Sequence, residues 1–162
     1  YRKGTIGRAK DHLEATAFTI TDSLADINGK AYVSVNKALV TQASSAIPVI
    51  PLYISLLYKI MKAEGIHEGC IEQIQRLYAD RLYANKEVPL DESGRIRIDD
   101  WEMRADVQER VAKLWIEATT ETLPQIGDLN GYKQDFLNLF GFGFEGVAYE
   151  AEADEMVRVL SI

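Results

Sequence analysis

Tyr1 and Lys10, near the start of the chain, form the pair best suited to acid–base chemistry. A phenol with an ordinary pKa of about 10 is a poor proton shuttle at neutral pH, but a neighbouring ammonium stabilises its ionised form and lowers that value. The spacing sets a geometric condition. Nine steps of continuous α-helix put the two side chains about 180° apart in azimuth and roughly 13.5 Å apart along the axis, too far to share a ligand. Tyr1 must therefore sit before the helix, with Gly4 and Gly7 letting the chain bend so that its hydroxyl approaches Lys10. On spacing alone the plainer reading, an end residue and a solvated ammonium, outweighs this one.

Other groupings carry less. Gly141-Phe142-Gly143-Phe144-Glu145-Gly146 matches G-x-G-x-x-G, but no strand is expected before it and too little chain follows for a βαβ unit, so it reads as a turn. His67, Glu68 and Cys70 lack the further closely spaced ligands of a metal site and read as a helix start. His12 reads as a surface residue. No nucleophile motif supports Ser-His-Asp catalysis.

The elements that must hold these residues follow from periodicity. Leu13, Ala17, Ile20 and Leu24 form one stripe of a helix from about Gly7 to Asp26, stopped by Asn28-Gly29. Ala31 to Val35 reads as a buried strand. Asn36 to Ser45 reads as a loop with a short turn of helix. Pro51 suits the first turn of a helix to about Ala63, with Gly65 as its stop. From Glu68 to Tyr83, Ile71, Ile74, Leu77, Tyr78 and Leu82 share a face that the pattern assigns to packing. Asp91 to Gly94 is a turn, and Arg95 to Ile98 suits one arm of a hairpin. Asp99 or Asp100 can cap a helix carrying Val107, Val111, Leu114 and Trp115, running to about Thr120, with Pro124 ending that region. A shorter helix covers Tyr132 to Leu139, followed by the Gly-Phe alternation and an acidic tail.

A single strand cannot satisfy its own backbone groups when buried. The pattern therefore predicts half of an α/β unit whose remaining strands precede Tyr1, together with a helical C-terminal region. The abrupt start at Tyr1, without an initiator methionine, fits processing or truncation. The 162 residues, 47% apolar, can bury one core, and a net charge of −7 without a basic run disfavours nucleic acid. The most apolar stretch, Ala46 to Tyr58, is shorter than the about 20 residues a membrane span needs and contains Pro48 and Pro51. With Cys70 as the lone cysteine and no signal peptide visible, a cytoplasmic protein is expected.

The Tyr1-x8-Lys10 pair is similar to that of the NADH-dependent trans-2-enoyl-CoA and enoyl-acyl-carrier-protein reductases, relatives of the short-chain dehydrogenases. The runs 10–14, 33–41, 47–53, 67–73, 95–102 and 135–138 also resemble this family, in the same order, across nearly the whole chain. The resemblance implies an α/β fold, the C-terminal part of a short-chain-dehydrogenase-like Rossmann fold. This part is mostly helical with one core strand, divided into a catalytic half over 1–95 and a helical region over 96–162. The implied reaction saturates the trans-2 double bond of an enoyl thioester of coenzyme A or acyl carrier protein, with NADH as cofactor. Tyr1 and Lys10 take the catalytic roles, and Lys10 also holds the nicotinamide ribose. The loop residues Leu39, Val40 and Thr41 contact the cofactor, with Ser44 and Ser45 as weaker candidates. Tyr58, in the apolar segment that could wall an acyl pocket, contacts substrate; by pattern alone it is helix core. The family's C-terminal region is described as FAD-binding, yet no flavin site is apparent in these residues and none is expected. A monomer is expected. The alternative is a helical binding or structural module without activity, because the dinucleotide-binding half is absent from these residues.

Overall fold

The first helix, α1 (Gly4–Ser23), opens on a glycine at φ +76° and is followed by a 3₁₀ turn over Ala25–Ile27. Asn28 closes that turn at φ 54°, as expected of a left-handed stop. These and all further observations come from a computed structural model that describes residues 4–84 and 86–152. Gly7 lies inside α1 and is buried, so Gly4, not Gly7, is the glycine free to bend the chain ahead of the helix. The stripe expected to be core is open: Leu13 and Ile20 are exposed, because an apolar face is buried only where a partner meets it.

Strand β1 (Val33–Val35) is shorter than the expected run and half-buried. The backbone of Ala31 is held by Thr21 of α1, whose Oγ1 accepts from the Ala31 N–H at 3.0 Å and donates to its carbonyl at 3.2 Å. Those groups are thereby removed from any ladder. Helices α2 (Gln42–Ser45), α3 (Val49–Ala63) and α4 (Cys70–Arg76) follow, α4 running on into a π-helical turn over Leu77–Leu82. Strand β2 (Arg95–Arg97) then pairs with β1 in parallel, Val33 opposite Arg95 and Val35 opposite Arg97, and the Ile98 N–H extends the ladder to the Val35 carbonyl at 3.0 Å. This corrects the hairpin expectation and adds a second strand to the one expected. A hairpin arm must lie antiparallel to its neighbour, whereas the crossover through three helices brings the chain back in the same direction.

Helix α3 is apolar nearly all round, and such a helix is stable only when enclosed. Leu57, Ile60 and Met61 pack on Val107 and Val111 of α5 (Ala105–Glu117). Ile54 and Tyr58 pack on Val40 and on the half-buried Tyr132 and Phe136 of the last helix. Each fully buried aliphatic side chain here contributes roughly 1.5–3 kcal/mol relative to exposure. The short α6 (Leu123–Ile126) incorporates Pro124 in its first turn, and α7 (Leu129–Asn138) is capped by the Asp128 carboxylate, which accepts from the Gly131 N–H at 2.9 Å.

Two further expectations fail for one reason. The apolar face of α4 points outward, with Ile71, Ile74 and Tyr78 exposed, while Gln73 and Arg76 are buried. Asp99 and Asp100 do not cap α5, whose N-cap is Arg104. Asp100 pairs with Arg76 at 2.7 Å and Arg81 at 2.8 Å, and Asp99 with Arg97 at 2.5 Å. Charged hydrogen bonds, stronger than neutral ones, decide which face of α4 turns inward.

Candidate active-site loop and cavities

The loop leaving β1 leads from the end of the parallel pair to Leu39, Val40 and Thr41, and the backbones of Lys37 and Ala38 within it are each tied by a distant side chain. The Lys37 N–H donates to Gln73 Oε1 at 3.0 Å. The Ala38 N–H donates to Glu102 Oε2 at 2.6 Å, and Glu102 Oε1 accepts from the Tyr53 hydroxyl at 2.6 Å. Gln73 turns its amide nitrogen to Glu68 at 2.5 Å and to the Ile98 carbonyl at 3.1 Å. Ligands of open α/β sheets bind beyond the carboxyl ends of strands, which is where this loop lies.

Further along, Thr41 is the N-cap of α2. Its Oγ1 accepts from the Ser44 N–H at 3.0 Å, and its own N–H donates to Ser44 Oγ at 2.8 Å. Ser44 Oγ also donates to the Leu39 carbonyl at 3.3 Å. The Thr41 hydroxyl proton is thus the group this side chain can offer a ligand. Leu39 and Val40 line a cavity of about 340 Å³ together with Tyr58, Asp135, Asn138 and Leu139.

Tyr58 is wholly buried, and its hydroxyl has no hydrogen-bond partner among the described residues; the Val40 backbone and the Asp135 carboxylate face it without closing a bond. Burial pushes this phenol up, with the Asp135 charge adding to the effect. Two ammonium groups lie over its ring, Lys37 Nζ at 4.7 Å and Lys62 Nζ at 5.3 Å from the centroid, and the His67 ring meets it edge-on at 4.3 Å. Burial brings Lys37 down to about 8 against the opposing pull of Glu102, Glu68 and Asp135. Its Nζ donates to the Ala38 carbonyl at 3.0 Å. Burial, with Lys37 and Lys62 nearby, lowers His67 to about 4, so its imidazole is neutral at physiological pH.

Lys10 lies elsewhere. It projects from α1 into a second cavity of about 410 Å³, lined also by Glu14, Ser34, Asn36, Arg95 and Arg97. Arg95 bridges Asp91 at 2.9 Å and Glu14 at 3.3 Å, tying β2 to α1. Leu39, Val40 and Tyr58 therefore share one cavity, Lys10 lines another, and Thr41 lines neither. Tyr1 lies outside the described residues. The residues with the most unusual surroundings, Lys37, Glu102, Gln73 and Tyr53, were not singled out as site residues by sequence reasoning. All four entered only as members of the family-like runs, and nothing in a local pattern marks a polar or charged residue for burial.

Comparison with known proteins covers nearly all of the chain. Residues 1–83 match a family model described as the trans-2-enoyl-CoA reductase catalytic region, and residues 90–153 one described as an enoyl reductase FAD binding domain. The chain is 83% identical over its whole length to an enoyl-[acyl-carrier-protein] reductase [NADH] of Flavobacterium psychrophilum, covering 41% of that protein. It is 60% identical over 93% of its length to one of Coxiella burnetii, covering 37% of it. Among solved structures it is similar to Treponema denticola trans-2-enoyl-CoA reductase in complex with NAD, with a TM-score of 0.88, 54% identity, and coverage of 99% of this chain and 40% of that one. Clostridium acetobutulicum trans-2-enoyl-CoA reductase in complex with NAD gives a TM-score of 0.90 at 48% identity, covering 95% of this chain and 40% of that one. The chain thus spans about two fifths of the length of these relatives. The glycine-rich segment of the second matched region does not fit a dinucleotide. Gly141, Gly143 and Gly146 lie at positive φ, and among the described residues the element leading into them is α7 rather than a strand, and no helix follows.

Proposed function

Because the chain belongs to the trans-2-enoyl-CoA reductase family, we propose that the protein it forms part of reduces the trans-2 double bond of enoyl thioesters, carried by coenzyme A or acyl carrier protein, in fatty acid synthesis. The observation that carries this reading is the match of the whole chain, at 83% identity, to a relative named as an NADH-dependent enoyl reductase. That match supports the reductase reading over that of a helical module without activity. We further propose a catalytic half over 1–95, a helical region over 96–162, and a cytoplasmic monomer; among the described residues no helix is long and apolar enough to cross a membrane.

The residues present fit a nicotinamide dinucleotide. Lys10 and the Ser34 and Asn36 side chains offer polar partners for sugar hydroxyls in one cavity, and the orphaned Tyr58 hydroxyl lines the other beside Leu39 and Val40. Bound NADH supplies the hydride that adds to the β-carbon of the thioester. Tyr1 donates a hydrogen bond or proton at the thioester oxygen, where negative charge accumulates. Lys10 holds the nicotinamide ribose and, by its charge, favours the ionised form of Tyr1. Leu39 and Val40 give an apolar wall to the nicotinamide, Thr41 a hydroxyl, and Tyr58 faces the acyl group.

The test is NADH oxidation by the full-length protein with a short trans-2-enoyl thioester as acceptor. Oxidation that requires the thioester supports the reading; a folded, NADH-binding protein that fails to oxidise it refutes the substrate assignment.

A further inference from the structure

We infer that Glu102 is a positioning residue for the loop Leu39–Thr41, so that the helical region following β2 sets the geometry of cofactor binding. The inference rests on the reductase reading and deepens it.

Glu102 is 6% exposed and spends both carboxylate oxygens on groups of the catalytic half. One accepts from the Ala38 N–H and the other from the Tyr53 hydroxyl, each at 2.6 Å, across 64 and 49 positions of sequence. Gln108 of α5 locks this arrangement, its Nε2 donating to Tyr53 Oη at 3.1 Å and to the Glu102 carbonyl at 2.8 Å. Hydrogen bonds to an ionised acceptor are short and about twice as strong as neutral ones, and a buried N–H without one is costly. The Ala38 amide is therefore pinned in direction as well as place. Two residues later Val40 is fully packed against Ile54 and Tyr58, and Leu39 bridges the interval. A short segment fixed at one end by a charged hydrogen bond and at the other by core packing has little freedom left. Leu39 and Val40 are consequently presented to their cavity already ordered, which spares a ligand the cost of ordering them.

Glu102 touches neither cavity and so acts through the loop. Glu102→Ala leaves the Ala38 N–H and the Tyr53 hydroxyl without their acceptor. Glu102→Gln can still present its Oε1 to Ala38 while its amide nitrogen meets Tyr53 Oη.

The experiment measures steady-state kinetics of the full-length reductase, together with hydrogen–deuterium exchange of the peptide covering residues 36–41. Glu102→Ala is expected to raise the KM for NADH about tenfold with a smaller change in kcat, and to speed exchange of the loop about tenfold. Glu102→Gln is expected to restore both to within about threefold of the parent. Thr122→Ala, which removes the hydroxyl that accepts from the Thr119 N–H and donates to the Glu117 carbonyl ahead of α6, away from Ala38 and Tyr53, serves as the control for lost stability and should leave KM for NADH unchanged. The inference is overturned if folded Glu102→Ala keeps the parental KM for NADH, or if Thr122→Ala raises it equally. If the parent protein lacks thioester-dependent oxidation, the substrate assignment fails, while NADH titration and loop exchange of the same variants still decide the role of Glu102. Unchanged exchange in Glu102→Ala would sink it outright.

Discussion

Arg76 grips the carboxylate of Glu68 from two sides, Nε to Oε1 at 2.6 Å and Nη2 to Oε2 at 2.8 Å, with both side chains more than nine-tenths buried. The same guanidinium reaches Asp100 at 2.7 Å and the Ile98 carbonyl at 2.7 Å, and lies over the Trp101 ring at 4.1 Å. One planar cation thus joins the start of α4 to the segment that follows β2, a task for which the forked guanidinium is suited and a lysine is not.

Removing that cation strands Glu68 as a buried, unpaired charge. Arg76→Ala is expected to cost about 3–5 kcal/mol in urea-induced unfolding, and Arg76→Lys to recover only part of it. A loss under about 1 kcal/mol would mean that the pair is solvated in practice.

Lys37 gives the stability a particular alkaline dependence. Its folded pKa of about 8 lies below the ordinary lysine value of 10.5, so between these values the unfolded chain binds more protons and stability rises with pH. The contribution is complete above the unfolded value and is lost as pH falls through about 8. Lys37→Met is expected to abolish this rise relative to the parent in unfolding measured from pH 7 to pH 10.5. Parallel curves for the two proteins would show that the Lys37 amine titrates as in water.

Thr41 holds the first turn of α2 through a reciprocal cap with Ser44. Thr41→Ala is expected to cost about 0.5–2 kcal/mol and to raise the KM for NADH, while Thr41→Ser keeps the hydroxyl and both properties. Equal kinetics for the alanine and serine variants would remove Thr41 from cofactor binding.

Tyr1→Phe deletes only a hydroxyl. In the full-length protein we expect turnover to fall by about 100-fold or more, with NADH affinity nearly unchanged. Near-normal turnover would remove Tyr1 from the chemistry.

What could be read directly was local. The left-handed stop at Asn28, the turn over Asp91–Gly94, the enclosed apolar helix around Leu57 and the last helix, α7, all follow from neighbours within a turn or two, and each formed close to where the pattern put it. The family-like runs pointed to the family, because a match in order along the whole chain carries information that no single spacing does. Ile71 and Ile74 illustrate the limit. Their helical spacing is correct, yet they face outward, because Gln73 and Arg76 on the same helix find buried carboxylate and carbonyl partners.

The sequence by itself determined the longer helices, the stops at Asn28 and Gly65 and the strand of valines after Ala31, since these depend on backbone preferences and periodicity along the chain. The tertiary structure alone decided that Arg95–Arg97 runs parallel to Val33–Val35, and that Glu102 meets Ala38. A polar side chain has the same local pattern whether water or a distant partner satisfies it. Only the approach of segments far apart in sequence, which excludes water and supplies the partner, tells the two apart.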